Sequence, residues 1–293
     1  MDEPVFASPR TLDEALEAVR DGDALIVGGG TSLAVLLKQR LVEPEKLVWL
    51  GRVDELTGIS RDADGALLVG AITTVAEIAA SAEVRTEHPI VAHAARVIAN
   101  PRIRAVATVA GALVHGDPRQ DLPPALLVTG ASVRIVGPRG ERTMQLSDGF
   151  FRGFLETAVE PDELVTHVRL PASTRTQEAY RRFTPQSMDD YPTVSVAVGM
   201  WRSDAGVVSH LSLALGGVAS TPLLVEGVDG FFAGGTPSPS EIAAVAEHAR
   251  SSTSPTADER GSAEYKAAMA ELWTRRVLTE LVENGDDRAD SRD

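Results

Sequence analysis

Two short stretches carry the residues whose types and spacing could do chemistry. The first, Ala24-Leu25-Ile26-Val27-Gly28-Gly29-Gly30-Thr31-Ser32-Leu33, passes from four apolar residues into three glycines and two hydroxyls. A plain turn needs one glycine or two, and each further one costs roughly 0.5–1 kcal/mol relative to alanine through lost chain entropy. A run of three suits a loop whose backbone must approach a ligand. No Cβ blocks the way, successive N–H groups face one point, and Thr31 and Ser32 add hydroxyl donors. At the start of a helix such a loop binds an anion, phosphate above all, without any lysine. A sharp strand-to-helix turn with no ligand is the plainer alternative. The dinucleotide fingerprint Gly-x-Gly-x-x-Gly fits at Gly28 and Gly30 but fails at Leu33, and the next strand, "VWLGR", ends without the expected acid.

The second stretch, "TVAGALVHGDPRQDLPPALL" over 108–127, sets Thr108, Ala110, Gly111, Asp117 and Asp121 around a turn. A carboxylate does not favour a pyrophosphate. Asp121 therefore reads as an acceptor for a sugar or ribityl hydroxyl, as the cap of the helix "LPPALLV", or as both. His115 and Asp117 could be a base and its orienting acid, yet no serine or cysteine in a nucleophile elbow accompanies them.

The rest of the composition narrows the chemistry. The chain has no cysteine, which removes disulfides, thiol nucleophiles, iron–sulfur clusters and zinc–thiolate sites together. Redox work would need a bound organic cofactor. His88 and His93, five apart, do not share a helical face well, so no metal site is expected. A net charge of −14 and a pI near 4.9 argue against nucleic acid or an anionic membrane as the main partner. No stretch approaches the ~20 apolar residues of a membrane span. The start, "MDEPVFASPR", lacks the basic and apolar regions of a secretion signal. A cytoplasmic protein is expected.

At 293 residues two domains are expected. "SPRTLDEALEAV" reads as a helix capped at Thr11, "ALIV" as a buried strand, "SLAVLLKQRL" (32–41) as a helix and "KLVWL" as a strand. Together they make a β-α-β unit with the glycines at its first turn. "ALLVGA" is a strand, Thr73 or Thr74 caps a helix through "VAEIAAS", and "PIVAHAARVIA" is a helix stopped by Asn100-Pro101. "ATVAG" reads as a short strand before the helix that begins near Asp121. "SVRIV" and "ERTMQL" form a hairpin across "GPRG", and "ELVTHVRLPA" closes this half. The polar run 173–178 is a linker. Beyond it, "AYRRFT", "TVSVAVGMW" and "VSHLSLALGGVA" predict a three-stranded antiparallel sheet, followed by helices over 239–252 and 262–284. Strands then helices indicate an α+β second domain over 179–285, and the charged residues 286–293 are expected to be disordered.

Taken together, "VGGGTSL" and, some 80 residues on, "RIRAVATVAGALVHGDPRQDLPPALL" resemble the FAD-binding medium subunit of the molybdenum hydroxylases, the group of carbon monoxide dehydrogenase and xanthine dehydrogenase. The likeness extends through "GAITTVAEI", "ELVTHVRLP", "LALGGVASTP" and "DERGSAEYKAAMAELWTRRVL". It implies an α+β chain: a two-subdomain FAD-binding domain of vanillyl-alcohol-oxidase (PCMH) type over 1–172, divided near 55, then the smaller C-terminal domain. It also implies where FAD is held. Leu25, Ile26 and Val27 lead into Gly28, Gly29, Gly30, Thr31, Ser32 and Leu33, which together with Thr108, Val109, Ala110, Gly111 and Ala112 wrap the pyrophosphate. Ile98 and Asp117 join the cofactor set, and Asp121 matches an acid bonded to the cofactor's hydroxyls. Leu164 matches an apolar flavin neighbour, Arg182 a basic residue near it, and Tyr191 a residue covering the isoalloxazine, where an aromatic face can stack. The chain departs from the family at Ala110, where glycine is usual. An alanine there keeps the contact if φ is negative and strains the loop by about 1 kcal/mol or more if φ is positive.

The resemblance further implies no catalytic side chains or metal of the chain's own. It implies an electron-transfer role between [2Fe–2S] clusters of a small subunit and an external acceptor, beside a large molybdenum-cofactor subunit, as a dimer of heterotrimers. A cofactor-free scaffold of the same fold, for which Ala110 speaks, and a stand-alone flavin oxidoreductase are the rival readings.

Overall fold

A computed structural model describes residues 4–173, 177–203, 207–232 and 235–290, the last seven as backbone only. It opens with a small parallel unit: β1 (Val5–Ala7), α1 (Leu12–Val19), β2 (Ala24–Val27), α2 (Thr31–Lys38) and β3 (Lys46–Trp49), in sheet order β1-β3-β2. The α1 N-terminus is capped as the sequence predicts, the Thr11 hydroxyl accepting from the Glu14 amide, and Ala15 and Val19 are buried. Helix α2 ends three residues before the expected Leu41 because the chain turns left-handed at Arg40 (φ 55°).

The second unit holds β4 (Ile59–Arg61), β5 (Leu67–Gly70), α3 (Val75–Ala80), α4 (Ala82–Glu87), α5 (Pro89–Val97), α6 (Pro101–Arg104), α7 (Val109–Val114) and α8 (Leu122–Thr129). The β6–β7 hairpin (Ser132–Gly137 and Gly140–Gln145), β8 (Phe151–Gly153), β9 (Glu156–Thr157) and β10 (Leu164–Leu170) complete it. A five-stranded antiparallel sheet, β4-β5-β10-β6-β7, is its floor. Thr74, of the two candidates, caps α3, in a reciprocal capping box with Glu77.

The expected strand at "ATVAG" is a helix, α7. Thr108 caps it by accepting from the Gly111 amide, and the amides of Val109 and Ala110 donate to the carbonyls of Thr73 and Ala71. Valines, small residues and a glycine carry no period long enough to distinguish the two over six positions.

In the C-terminal part β11 (Gln177–Phe183), β12 (Val194–Arg202) and β13 (Val208–Gly216) are the three expected strands, but the antiparallel sheet has four. The fourth, β14 (Leu223–Leu224), pairs Ala214 with Leu224 and Leu215 with Leu223. Two residues are too few to show alternation in a sequence. Helices α9 (Pro239–Ser251) and α10 (Ala263–Asp290) pack together, and α10 covers β11 and β12. The α10 backbone is helical through residues 286–290 of the expected tail; 291–293, like 174–176 of the expected linker, lie outside the described residues.

One core joins the two large parts. Helix α8, buried along its whole length, lies between α5 and the β12–β13 face, so Tyr180, Ala197 and Ala214 share a cluster with Leu122, Leu126 and Ile90. The second cluster lies between the C-terminal sheet and α9 and α10, and the third fills the small parallel unit. Among the described residues no helix is long and apolar enough to cross a membrane.

Candidate functional site

Strand β2 is an edge strand whose apolar run, Leu25 to Val27, delivers the chain directly to the N-terminus of α2. Gly30 occupies the cap position at φ 71°, a left-handed conformation that admits glycine at no steric cost. Among the described residues nothing accepts a hydrogen bond from the amides of Gly28, Gly29, Gly30, Thr31, Ser32 or Leu33. Six open donors at the positive end of a helix dipole make a cradle for an anion.

Two of the three glycines also answer to a protein neighbour. A Cβ on Gly29 would stand 1.7 Å from the Val106 carbonyl oxygen, and one on Gly28 would stand 2.6 Å from Thr108 Oγ1. The two loops therefore touch, and close backbone approach between them demands glycine at 28 and 29. The freedom of these residues serves loop-on-loop packing as well as the cradle.

The second loop is built differently. Its amides at Val109, Ala110, Gly111 and Ala112 donate respectively to Thr73 O, Ala71 O, Thr108 Oγ1 and Thr108 O. Ala110 is helical, so its side chain brings no left-handed strain. Thr108 is the point of contact with the cradle.

Asp121 begins α8 without capping it, since its carboxylate makes no bond to the helix amides. Instead Oδ1 accepts from the Tyr180 hydroxyl at 2.6 Å and lies 3.3 Å from Arg182 Nε. Burial pushes the Asp121 carboxyl up to about 6, and the Arg182 charge and Tyr180 hydroxyl pull it only part of the way back. The remaining nitrogens of Arg182 donate to the carbonyls of Val97 and Asp190. Arg182 thereby ties the end of α5, where Ile98 is buried, to the loop that carries Tyr191.

Tyr191 is the meeting point of three elements. Its phenol hydrogen-bonds the Ser32 hydroxyl of the cradle, and its carbonyl accepts from Arg260 Nε at 3.3 Å. The Arg119 guanidinium lies 5.5 Å from its ring centroid. Asp117 does not orient His115: its carboxylate is held by Arg119 in a two-pronged pair, Nε to Oδ1 and Nη2 to Oδ2, both 3.0 Å. Burial holds the His115 imidazole below its ordinary value. Leu164 sits apart, buried with Val48, Leu56 and Ala71, where Ala110 borders it.

The structure thus gathers the cradle, Thr108 and Tyr191 at one place, with Asp121 and Arg182 joined to it through Asp190. Sequence reasoning missed Tyr180, Arg119 and Arg260. Tyr180 was within reach: it and Arg182 alternate on one strand, so both side chains share a face. Arg119 and Arg260 carried no periodic signal. The donor set suits a diphosphate, and the aromatic ring beside it suits a planar group, so the residues present fit FAD.

Comparison with known proteins agrees. Residues 3–173 match the family described as the FAD binding domain in molybdopterin dehydrogenase, and residues 178–281 match the CO dehydrogenase flavoprotein C-terminal domain. The chain is 34% identical over 276 residues to the carbon monoxide dehydrogenase medium chain of Hydrogenophaga pseudoflava, covering 93% of this chain and 95% of that one. It is 32% identical to the nicotine 6-hydroxylase medium subunit of Paenarthrobacter nicotinovorans, over 94% and 96% of the two chains. The solved Hydrogenophaga pseudoflava carbon monoxide dehydrogenase that lacks the Mo-pyranopterin moiety of its molybdenum cofactor superposes with a TM-score of 0.91, at 32% identity, over 97% of this chain and 98% of that one. With the open cradle at Gly28–Leu33 and matches along nearly its whole length, the chain belongs to the FAD-binding medium subunits of the molybdopterin dehydrogenases, a family of oxidoreductases.

Proposed function

We propose that this chain is the electron-transfer subunit of a cytoplasmic molybdenum-containing hydroxylase or dehydrogenase. Its partners are a large subunit with the molybdenum cofactor and a small subunit with [2Fe–2S] clusters, assembled as a dimer of heterotrimers. Residues 1–172, in two halves divided near 55, form the FAD part, and 179–285 the smaller second domain. The observation that carries this reading is the row of amides from Gly28 to Leu33, beside Tyr191, that donate to no acceptor among the described residues. The absence of cysteine supports the division of labour, since this chain cannot ligate the clusters itself.

Bound FAD supplies a carrier that accepts electrons from one-electron centres and yields them to an external acceptor. The chain's own residues hold and orient it. The cradle amides and the Thr31 and Ser32 hydroxyls grip the diphosphate. Asp121 uses Oδ1 for both Tyr180 and Arg182, leaving Oδ2 to accept from a ribityl or sugar hydroxyl. Tyr191 would cover the isoalloxazine, with Ile98 as an apolar neighbour, while Leu164 stays in the core of the parallel unit behind it. The substrate binds in the molybdenum subunit, so none is assigned to this chain.

Co-expression with a molybdenum-cofactor large subunit and a [2Fe–2S] small subunit from the same genome, and purification of the complex, tests this. FAD should be present in equal amount to this chain, and it should be reduced when the complex is given substrate. A complex that contains molybdenum and iron but no flavin overturns the assignment. Turnover of a small substrate by this chain alone would point to a stand-alone oxidoreductase instead.

A further inference from the structure

Tyr191 is fixed at both ends, but its ring has two faces. Arg260 holds the backbone, through the Tyr191 carbonyl and a 2.7 Å pair with Asp190, and Ser32 holds the phenol. Rotation of the ring between these anchors is limited by Arg119, whose guanidinium packs on one face. Arg119 is itself held rigidly. Its side chain forms the two-pronged pair with buried Asp117, its own amide donates to the same carboxylate at 2.9 Å, and Nη1 faces Asp258 at 4.0 Å. Asp258 in turn pairs with buried Lys266 of α10 at 2.7 Å, and Lys266 donates to the Thr256 carbonyl at 2.8 Å. Charges of alternating sign therefore run from the exit of the second loop, across Tyr191, to the C-terminal domain.

We propose that Arg119 is the positioning residue for Tyr191: it backs one face of the ring so that the other is presented to the flavin, and it links that presentation to the C-terminal domain through Asp258. The inference rests on the FAD reading above. Arginine is required for it, because a planar guanidinium can fork to a carboxylate and stack on a ring at once, whereas a lysine ammonium does one or the other. With a flavin on the ring's other face, removing Arg119 would leave the Asp117 carboxylate behind the ring without its partner, which would disfavour the reduced, more negative form.

The test uses the assembled complex carrying R119A, R119K, Y191L, and the R119A/Y191L pair, with FAD retention, flavin fluorescence lifetime and midpoint potential as readouts. R119A is expected to weaken FAD retention about threefold to tenfold. It should lengthen the fluorescence lifetime as the quenching phenol swings away, and move the potential to more negative values; R119K should follow R119A. In the Y191L background the R119A effects on retention and lifetime should disappear, because Arg119 acts through the ring. A purely structural Arg119 would lower thermal stability yet leave lifetime and potential unmoved, or would act equally with and without Tyr191; either result overturns the proposal. Should R119A fail to assemble, D258N, which leaves the fork to Asp117 intact, decides: a lengthened lifetime supports the link and an unchanged one overturns it. Wild-type complex without flavin would sink the FAD reading itself, whereas flavin present but indifferent to these substitutions sinks only the role of Arg119.

Discussion

The Tyr180 hydroxyl donates a 2.6 Å hydrogen bond to Oδ1 of Asp121 at the start of α8, with both residues buried. One neutral donor and the Arg182 charge do not balance the desolvation of that carboxylate, and its pKa stands at about 6, against 3.8 for an ordinary aspartate. Between these two values the folded chain keeps a proton that the unfolded chain has lost. Stability contributed by the protonated form is complete below pH 3.8 and is lost as the pH rises through about 6. Replacing Asp121 by Asn imitates the protonated form at every pH. Wild-type stability minus that of D121N is therefore expected to fall as pH rises from 4 to 7, by on the order of 3 kcal/mol. Denaturant titrations of both proteins across that range check it; a flat or rising difference refutes it.

Arg182 is the opposite member of the same cluster, and its removal should cost more than its charge suggests. It donates to two carbonyls, Val97 and Asp190, and lies against Asp121. R182M strands a buried carboxylate and two carbonyls, a loss of about 3–5 kcal/mol. It also frees the 184–191 loop, so FAD affinity should fall with stability. Adding D121N should return part of the stability and little of the affinity, because the loop stays untied. Thermal melts and FAD titrations of the single and double variants separate the two effects.

The three cradle glycines should not respond alike. A methyl group on Gly29 would meet the Val106 carbonyl oxygen at 1.7 Å, a backbone atom with no rotamer to yield, whereas on Gly30 the nearest atom is Val27 Cγ1 at 3.5 Å. G29A must force the loops apart, costing about 3 kcal/mol and on the order of 10 °C in Tm. G30A carries only the left-handed penalty of about 1–2 kcal/mol and keeps every amide donor. FAD retention should therefore be lost in G29A and largely kept in G30A. Equal losses would mean that ligand access, not contact between loops, sets the glycine requirement.

Much of this site is legible in the amino-acid order alone, and the limits are physical. The cradle is written in adjacent residues: an apolar strand, three glycines and two hydroxyls can be read because strand, turn and helix start follow one another. The contact of Gly29 with Val106 lies 77 positions away and leaves no local mark. The same holds for Arg119 over Tyr191 and Arg260 beneath it, where any arginine on a polar loop reads as solvated. The two-residue β14 and the six-residue α7 fall below the length at which hydrophobic periodicity speaks. Asp121 shows the deeper limit. Its position before a proline-containing helix reads as a cap, and only the burial of Tyr180 and Arg182 around it turns the carboxylate inward.

Ala110 turns on the same question of local against distant cause. The family resemblance leads one to expect glycine there, and a glycine that supplied a left-handed turn would make the alanine a defect. Here the residue lies inside α7, its φ is not positive, and its amide is already spent on the Ala71 carbonyl. Restoring glycine gains no conformation and no donor. It removes a methyl group that borders both the large core and the core of the parallel unit. A110G is accordingly expected to lower stability by about 1 kcal/mol, from helix propensity and the lost methyl contact, and to leave FAD affinity unchanged. A rise in affinity on that substitution would show that the second loop takes another conformation when it holds the cofactor, and that the alanine had been obstructing it.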